Sequence, residues 1–442
     1  MLLCAGPSAR AAEGCAPGTK CISVDATGQP SETGTYTAQC RGQFPDFVVP
    51  ATMLPAGYKG PWFNLAQAYP KTPPTESDAP WLKIDFKDGV KGANAYLYAL
   101  RNYSFEGMIK VGFRPQLNKV RAWYNMPLMN YGPGAREPTH GLTEERPVTA
   151  PELGLKTGVT IRNFAIGFYN APGGYTIGQV WKTDSPAIDQ SRFAPGGMTF
   201  KILFSNAVPA DFLNPKNDPL TGAPEWTIET SSGPMKVRLM QMDVAAVDPR
   251  APSGWVFGTF AYDKDAKDPS PWRRLRPVGI TWGNDHGYTP SDQSAGKKLA
   301  ETTISDEIPG YAATHLGWAG RTNGPVDNPI SGCLSCHGTA QFPVEADLAP
   351  FSKACITDEQ KMYWFRTIDG TQPFGAVSET TCLPEEISPA ATPLDFSLQM
   401  QVSVQNMDQE GDHNPCTPPT AMLKAMSVKI PAEFMNAPRV HR

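Results

Sequence analysis

One pentapeptide restricts this chain more than any other stretch: Cys333-Leu334-Ser335-Cys336-His337. Two thiols separated by two residues can reach the two vinyl groups of one porphyrin as thioethers. The histidine that follows then lies beneath the iron and supplies a nitrogen to it. A chain that holds a porphyrin in this way must build walls around it, and the rest of the sequence is read for those walls. The same Cys-x-x-Cys spacing occurs in redox dithiols, which sit beside a βαβ pattern, and in half of a zinc site, which needs a second ligand pair. Neither context accompanies it here. The motif points to one covalent haem c, with Cys333 and Cys336 as attachment residues and His337 as the proximal iron ligand.

The 442 residues are enough for one large or two ordinary domains with a substantial core. A net charge of −4 carries no nucleic-acid footprint, and no apolar run reaches the length of a membrane span. Proline (45) and glycine (40) are both frequent, so the chain turns often. That composition predicts a mainly β fold, an antiparallel sheet body with a few helices and long ordered loops. Ala9-Arg10-Ala11 before Ala12 fits the small-residue pattern of a signal cleavage site, so residues 1–11 are expected to be a signal-peptide remnant. Haem attachment to such a motif also implies export, to the periplasm or beyond. In an oxidising compartment the six remaining cysteines of the mature chain, Cys15, Cys21, Cys40, Cys355, Cys382 and Cys416, are expected to form three disulfides. Three precede the haem motif and three follow it, so full pairing requires a bridge between the two ends.

Along the chain, residues 93–108 carry Tyr96, Leu97, Leu100 and Tyr103 at helical spacing, with Gly107 as a stop. The aromatic and methionine-rich stretch 121–129 precedes a Gly/Pro cluster with Arg136, Glu137 and His140. These three residues could converge on a pocket; the simpler reading is that Trp123, Tyr124, Met126 and Met129 fill a core. Strands are predicted at 159–169, 175–181 (a hairpin across 170–174), 198–204, 235–239, 254–262 and 277–282. After the motif, 357–366 has a capping pattern and a short helix, and 395–404 alternates as a strand. The expected organisation is a β-rich body over 12–300 with a haem segment over 301–442 packed on it.

The sixth iron position decides what such a protein does. Met400 is the candidate distal ligand by its separation from His337, although its place on an apolar strand face favours a core residue; Met362 and Met407 follow. His286 and His315 could ligate from outside the motif. Arg273-Arg274-Leu275-Arg276 is a basic spot suited to haem propionates, to an acidic redox partner, or to ordinary surface ion pairs.

At its haem motif the chain resembles the c-type cytochromes. Two further pieces, Phe193-Ala-Pro-Gly-Gly-Met-Thr-Phe-Lys-Ile-Leu-Phe204 and Gly254-Trp-Val-Phe-Gly-Thr-Phe260, resemble strands of the β-sheet cytochromes with a lysine-cross-linked haem, and of their gas-binding cytochrome c′-beta relatives. Gly197 stands where that pattern has a threonine, and residues 40–150 and 263–332 are extra. The resemblance implies that Lys201 approaches the porphyrin edge and is a candidate for a bond to it. It implies redox chemistry at the iron: electron transfer with a redox partner protein, or small-molecule chemistry of the hydroxylamine or nitric oxide type at an open position. A third reading is a binding or structural protein in which the haem staples the fold.

Overall fold

Alternating apolar residues on successive strands build the largest element, an antiparallel sheet of eight strands. The computed structural model describes residues 63, 65–74, 79–129, 136–137, 139–150, 152–182, 185–230 and 233–410. The signal remnant expected at 1–11, and Cys15, Cys21, Cys40 and Cys416, lie outside the described residues. The strands are β1 (Thr143–Glu144), β2 (Asn163–Tyr169), β3 (Met198–Ser205), β4 (Glu225–Thr230), β5 (Gly233–Val247), β6 (Trp255–Tyr262), β7 (Leu275–Thr281) and β8 (Thr302–Ile304). Their order is β1-β2-β3-β5-β6-β7-β8, with β4 paired to the first residues of β5. Order in space follows order in sequence, as antiparallel strands joined by short turns allow. Between β5 and β6 the turn needs Gly254 at φ 78°, a conformation that costs a residue with a Cβ; there its carbonyl accepts from the Asp248 N–H. The fold is mainly β with a few helices, as composition predicts.

The sheet has two differently furnished faces. Against one lies helix α1 (Gly89–Phe105), whose Tyr96, Leu97 and Leu100 are buried with Phe168, Phe200, Phe204, Val244 and Phe260 in the larger core. Arg101 fastens α1 to the sheet by donating to the Leu275 carbonyl at 2.8 Å. The other face carries Tyr169, Ala245, Trp255 and Phe257, and is covered by α2 (Ala171–Val180), α3 (Cys333–His337) and α5 (Leu398–Glu410). A further helix, α4 (Asp358–Met362), begins at Thr357, which exchanges side-chain bonds with Gln360 in the predicted capping box.

Two expectations are corrected. Residues 175–181 are not the second strand of a hairpin. Asn170 acts as an N-cap, accepting from Gly173 N at 3.2 Å, and Pro172 stands in the first turn, so Asn-Ala-Pro opens α2. Gly174 and Gly178 then let α2 lie directly on Tyr124 and Tyr69. Residues 395–404 are not a strand: Ser397 Oγ accepts from Met400 N at 3.2 Å and α5 follows, with Met400 and Val404 buried one turn apart. Thr302–Ile304 pairs with β7 as an edge of the main sheet.

Among the described residues, Cys355 and Cys382 form a disulfide within the C-terminal trio of cysteines. Two residues of the basic spot bond locally: Arg276 bonds Tyr98 and Glu307, each at 3.0 Å, and Arg274 donates to the Asp268 carbonyl.

Candidate functional site

The haem motif forms the short helix α3. Gly332 precedes it, and Ser335 Oγ accepts from Gly332 N at 2.9 Å, closing the first turn. Spacing of three and four residues places Cys333, Cys336 and His337 on one side, and these line a cavity of about 400 Å³. Leu334 and Ser335 turn inward and are 1% exposed each. A cavity of this size falls in the range of small-molecule and cofactor sites.

His337 is held in a definite tautomer. Its Nδ1 donates to the Phe396 carbonyl at 2.8 Å, so Nε2 carries the lone pair. Burial pushes its pKa down to about 4, which keeps the ring neutral near pH 7. The carbonyl it uses is itself fixed. Asp395 and Phe396 both adopt left-handed backbone, at φ 45° and 62°. Asp395 accepts from Trp255 Nε1 at 3.0 Å and from Phe193 N at 2.7 Å, bonds that offset the conformational cost. A histidine whose second nitrogen is tied to a carbonyl is the arrangement that orients a metal-ligating imidazole.

The thiols are neutral. Burial pushes Cys336 up to about 12 and Cys333 well above its ordinary value, and the two are not bonded to each other. Burial that raises both thiols runs opposite to the lowered pKa of a reactive redox dithiol. Among the described residues no group of three or more His, Cys, Asp and Glu side chains could hold a metal ion. The donor set therefore suits covalent attachment with a single histidine ligand better than either alternative.

The sheet supplies the facing wall. In register, Gly167 pairs with Lys201, Lys201 with Asp243, and Asp243 with Thr259, one row across β2, β3, β5 and β6. Lys201 thus shares the cavity with the haem motif. Its Nζ lies 3.7 Å from Glu145 and 3.8 Å from Asp243. Gln241 Nε2 donates to Asp243 at 2.7 Å and to Asp327 at 2.9 Å. Burial, and then the nearby Asp327 charge, push Asp243 up to about 7; burial also raises Glu145 against the pull of Lys201.

The other sequence candidates lie elsewhere. Met400 is fully buried in the core with Leu334 and Phe396, and neither it, Met362 nor Met407 lines the cavity; the methionines that do are Met126 and Met129. His286 Nδ1 donates to the Phe365 carbonyl, and His315 Nε2 to the Asp327 carbonyl. His140 stacks on Trp226 at 4.2 Å, and Glu137 gathers the N–H groups of Thr139, His140 and Leu142. Of Arg136, Glu137 and His140, only Arg136 reaches the cavity wall. Sequence reasoning missed Asp243, Gln241, Asp327 and Glu145. For the first two a signal existed: polar residues inside the apolar run Leu239-Met-Gln-Met-Asp-Val-Ala-Ala-Val247 mark a place where a buried strand needs polarity.

No protein-family model, curated protein or solved structure matches this chain.

Proposed function

We propose that this chain is an exported monohaem c-type cytochrome acting in one-electron redox chemistry. The observation that carries the reading is the His337 tautomer: Nδ1 is committed to the Phe396 carbonyl, in a cavity lined by both motif thiols. When bound, the haem supplies a one-electron couple at its iron. Cys333 and Cys336 hold the porphyrin, His337 ligates through Nε2, and Trp255, Phe257 and Phe396 exclude water. A redox partner protein exchanges the electron.

A second reading, small-molecule or gas chemistry at an open iron position, is favoured by one feature. The wall built by the sheet is polar, with Lys201 and Asp243, while Met400, His286 and His315 lie outside the cavity. Lys201 lines the same cavity as the thiols, with Glu145 and Asp243 at 3.7 Å and 3.8 Å from its Nζ.

Protein produced with a haem c maturation system and recovered from the exported fraction should carry one covalent haem, seen as added mass and a haemochrome spectrum. Loss of that mass in Cys333→Ser/Cys336→Ser is expected, and a wild-type protein without it would sink the proposal. The reduced spectrum with carbon monoxide separates the two readings. A low-spin spectrum indifferent to carbon monoxide supports the carrier, and rapid binding supports the open position. Haem-peptide masses report whether Lys201 is bonded.

A further inference from the structure

The cavity holds more carboxyl groups than its cations can neutralise. Glu145 and Asp243 flank the ammonium of Lys201, and Asp327 lines the same cavity, joined to Asp243 through Gln241. The neighbouring guanidinium groups are committed elsewhere: Arg146 pairs with Glu152 at 2.8 Å, and Arg136 donates to the Gly141 and Met129 carbonyls. Three anions beside one cation in a largely enclosed space are unstable, and the system relaxes by keeping a proton on one of them.

Geometry shows where. Gln241 is fully buried, and its Oε1 accepts from Val326 N at 3.0 Å, which fixes its amide so that Nε2 points at both Asp243 and Asp327. Thr259 Oγ1 donates to the same Asp243 Oδ1 at 2.7 Å, and Gly324 N donates to Asp327 Oδ2 at 2.9 Å. Oδ1 of Asp243 thus meets Gln241 and Thr259, and Oδ2 lies 3.8 Å from Lys201, so the whole carboxyl is tied into the row. A separate observation marks the same wall as built for a ligand. Asn328 is 7% exposed, lines the cavity, and its Nδ2 has no hydrogen-bond partner among the described residues.

We propose that the Asp243–Asp327 pair is the proton store of this cavity: it takes up one proton from water for each electron that a one-electron donor protein delivers to the haem, and returns it when the electron leaves. The inference rests on the haem reading above. The balance is one electron and one proton inward, an O–H bond formed on Asp243, and the donor oxidised by one electron. An added electron is an added negative charge, and in a cavity of low polarity it raises the proton affinity of a nearby carboxylate; by linkage the proton raises the affinity for the electron. The groups facing the pair are Lys201 from β3, Glu145 beyond β1, Thr259 from β6, and Cys333, Cys336 and His337 from α3. The α3 groups stay neutral near pH 7, because burial raises the thiols and lowers the imidazole. Burial and Asp327 raise Asp243 to about 7, so uptake of a full proton per electron is expected above neutrality, where the oxidised protein leaves the pair ionised, and only part of one at pH 7.

The test is the midpoint potential of the holoprotein from pH 5.5 to 9. The expected result is a potential that falls as pH rises, by up to about 59 mV per unit, the one-electron equivalent of a tenfold change in proton activity. Asp243→Asn should flatten this dependence, and Asp327→Asn should shift it to lower pH. In wild-type protein, a reduced-minus-oxidised infrared difference spectrum should show a protonated carboxyl band gained on reduction, a readout that stands even where a variant fails to fold. A protein with its haem in place and a potential independent of pH overturns this proposal alone. A slope that both variants leave intact also overturns it. A protein without covalent haem overturns the proposal together with the haem reading.

Discussion

The two faces of the main sheet are built from the same strands and do opposite things. Facing α1, Phe168, Phe200, Phe204 and Val244 pack against Tyr96, Leu97 and Leu100. One residue along, the same strands turn Tyr169, Lys201 and Asp243 to the cavity that the haem motif shares. A strand alternates its side chains, so a single register fixes both a dry core and a charged row. The contrast teaches that stability and chemistry in this molecule are separated by one residue of strand rather than by a domain boundary. It also accounts for the aromatic excess of the α1 face, which has to hold the sheet while the cavity face carries groups that oppose burial.

The largest effect is expected where the comparison is most easily broken. Cys333→Ser/Cys336→Ser should abolish covalent haem while leaving the sheet signal in far-ultraviolet circular dichroism, because neither thiol supports the α1 face. Collapse of the sheet in that variant would show that the two faces are not independent. On the opposite face, Phe204→Ala should cost about 3–5 kcal/mol by chemical denaturation. Phe204 is fully buried and stacks on Trp226 at 4.2 Å, and it does not line the cavity. In that variant the haem spectrum should be unchanged for as long as the protein remains folded.

A smaller effect should come from the joint between the cavity and its cover. Trp255→Phe keeps the ring but removes the bond to Asp395, leaving a buried carboxyl short of one donor, at about 1–3 kcal/mol. Since Asp395 holds the Phe396 carbonyl in place for His337, the variant should also change the histidine's ligation spectrum, which a purely structural loss would not do.

Much of this was legible in the sequence, and its limits are physical. The strands at 198–204, 254–262 and 277–282 and the capping box at Thr357 are local signals, and each appears where its residues place it. Lys201 came from a resemblance, and the structure sets it on the cavity face. What failed was period and context. Asp395-Phe-Ser-Leu-Gln-Met-Gln-Val-Ser-Val404 satisfies a period of two, yet Met400 and Val404 also satisfy a helical turn, and the Ser397 cap decides between them. Asn170-Ala-Pro reads equally as a turn or as a helix start. The carboxyl cluster was not legible, because Glu145, Asp243 and Asp327 meet only through the register of β1 to β6 and the loop before α3, and no spacing within the chain encodes that meeting.

The smallest predicted effect tests the charged row on its own, without reference to redox chemistry. Asp243 is raised by burial, and then by Asp327, from an ordinary 3.8 to about 7 in the folded protein. Between those values the folded chain holds a proton that the unfolded chain has lost. Folding stability from this group is therefore present below about pH 4, declines as pH rises towards 7, and stays low above it. Asp243→Asn cannot ionise and should be free of that decline. Urea denaturation at several values from pH 4.5 to 8 should show the variant gaining on the wild type as pH rises, with the gain levelling off above neutrality. A difference that is constant across the range would mean that Asp243 is ionised throughout. The cavity face would then be a settled ion-pair row with Lys201, and the contrast between the two faces would be one of polarity alone.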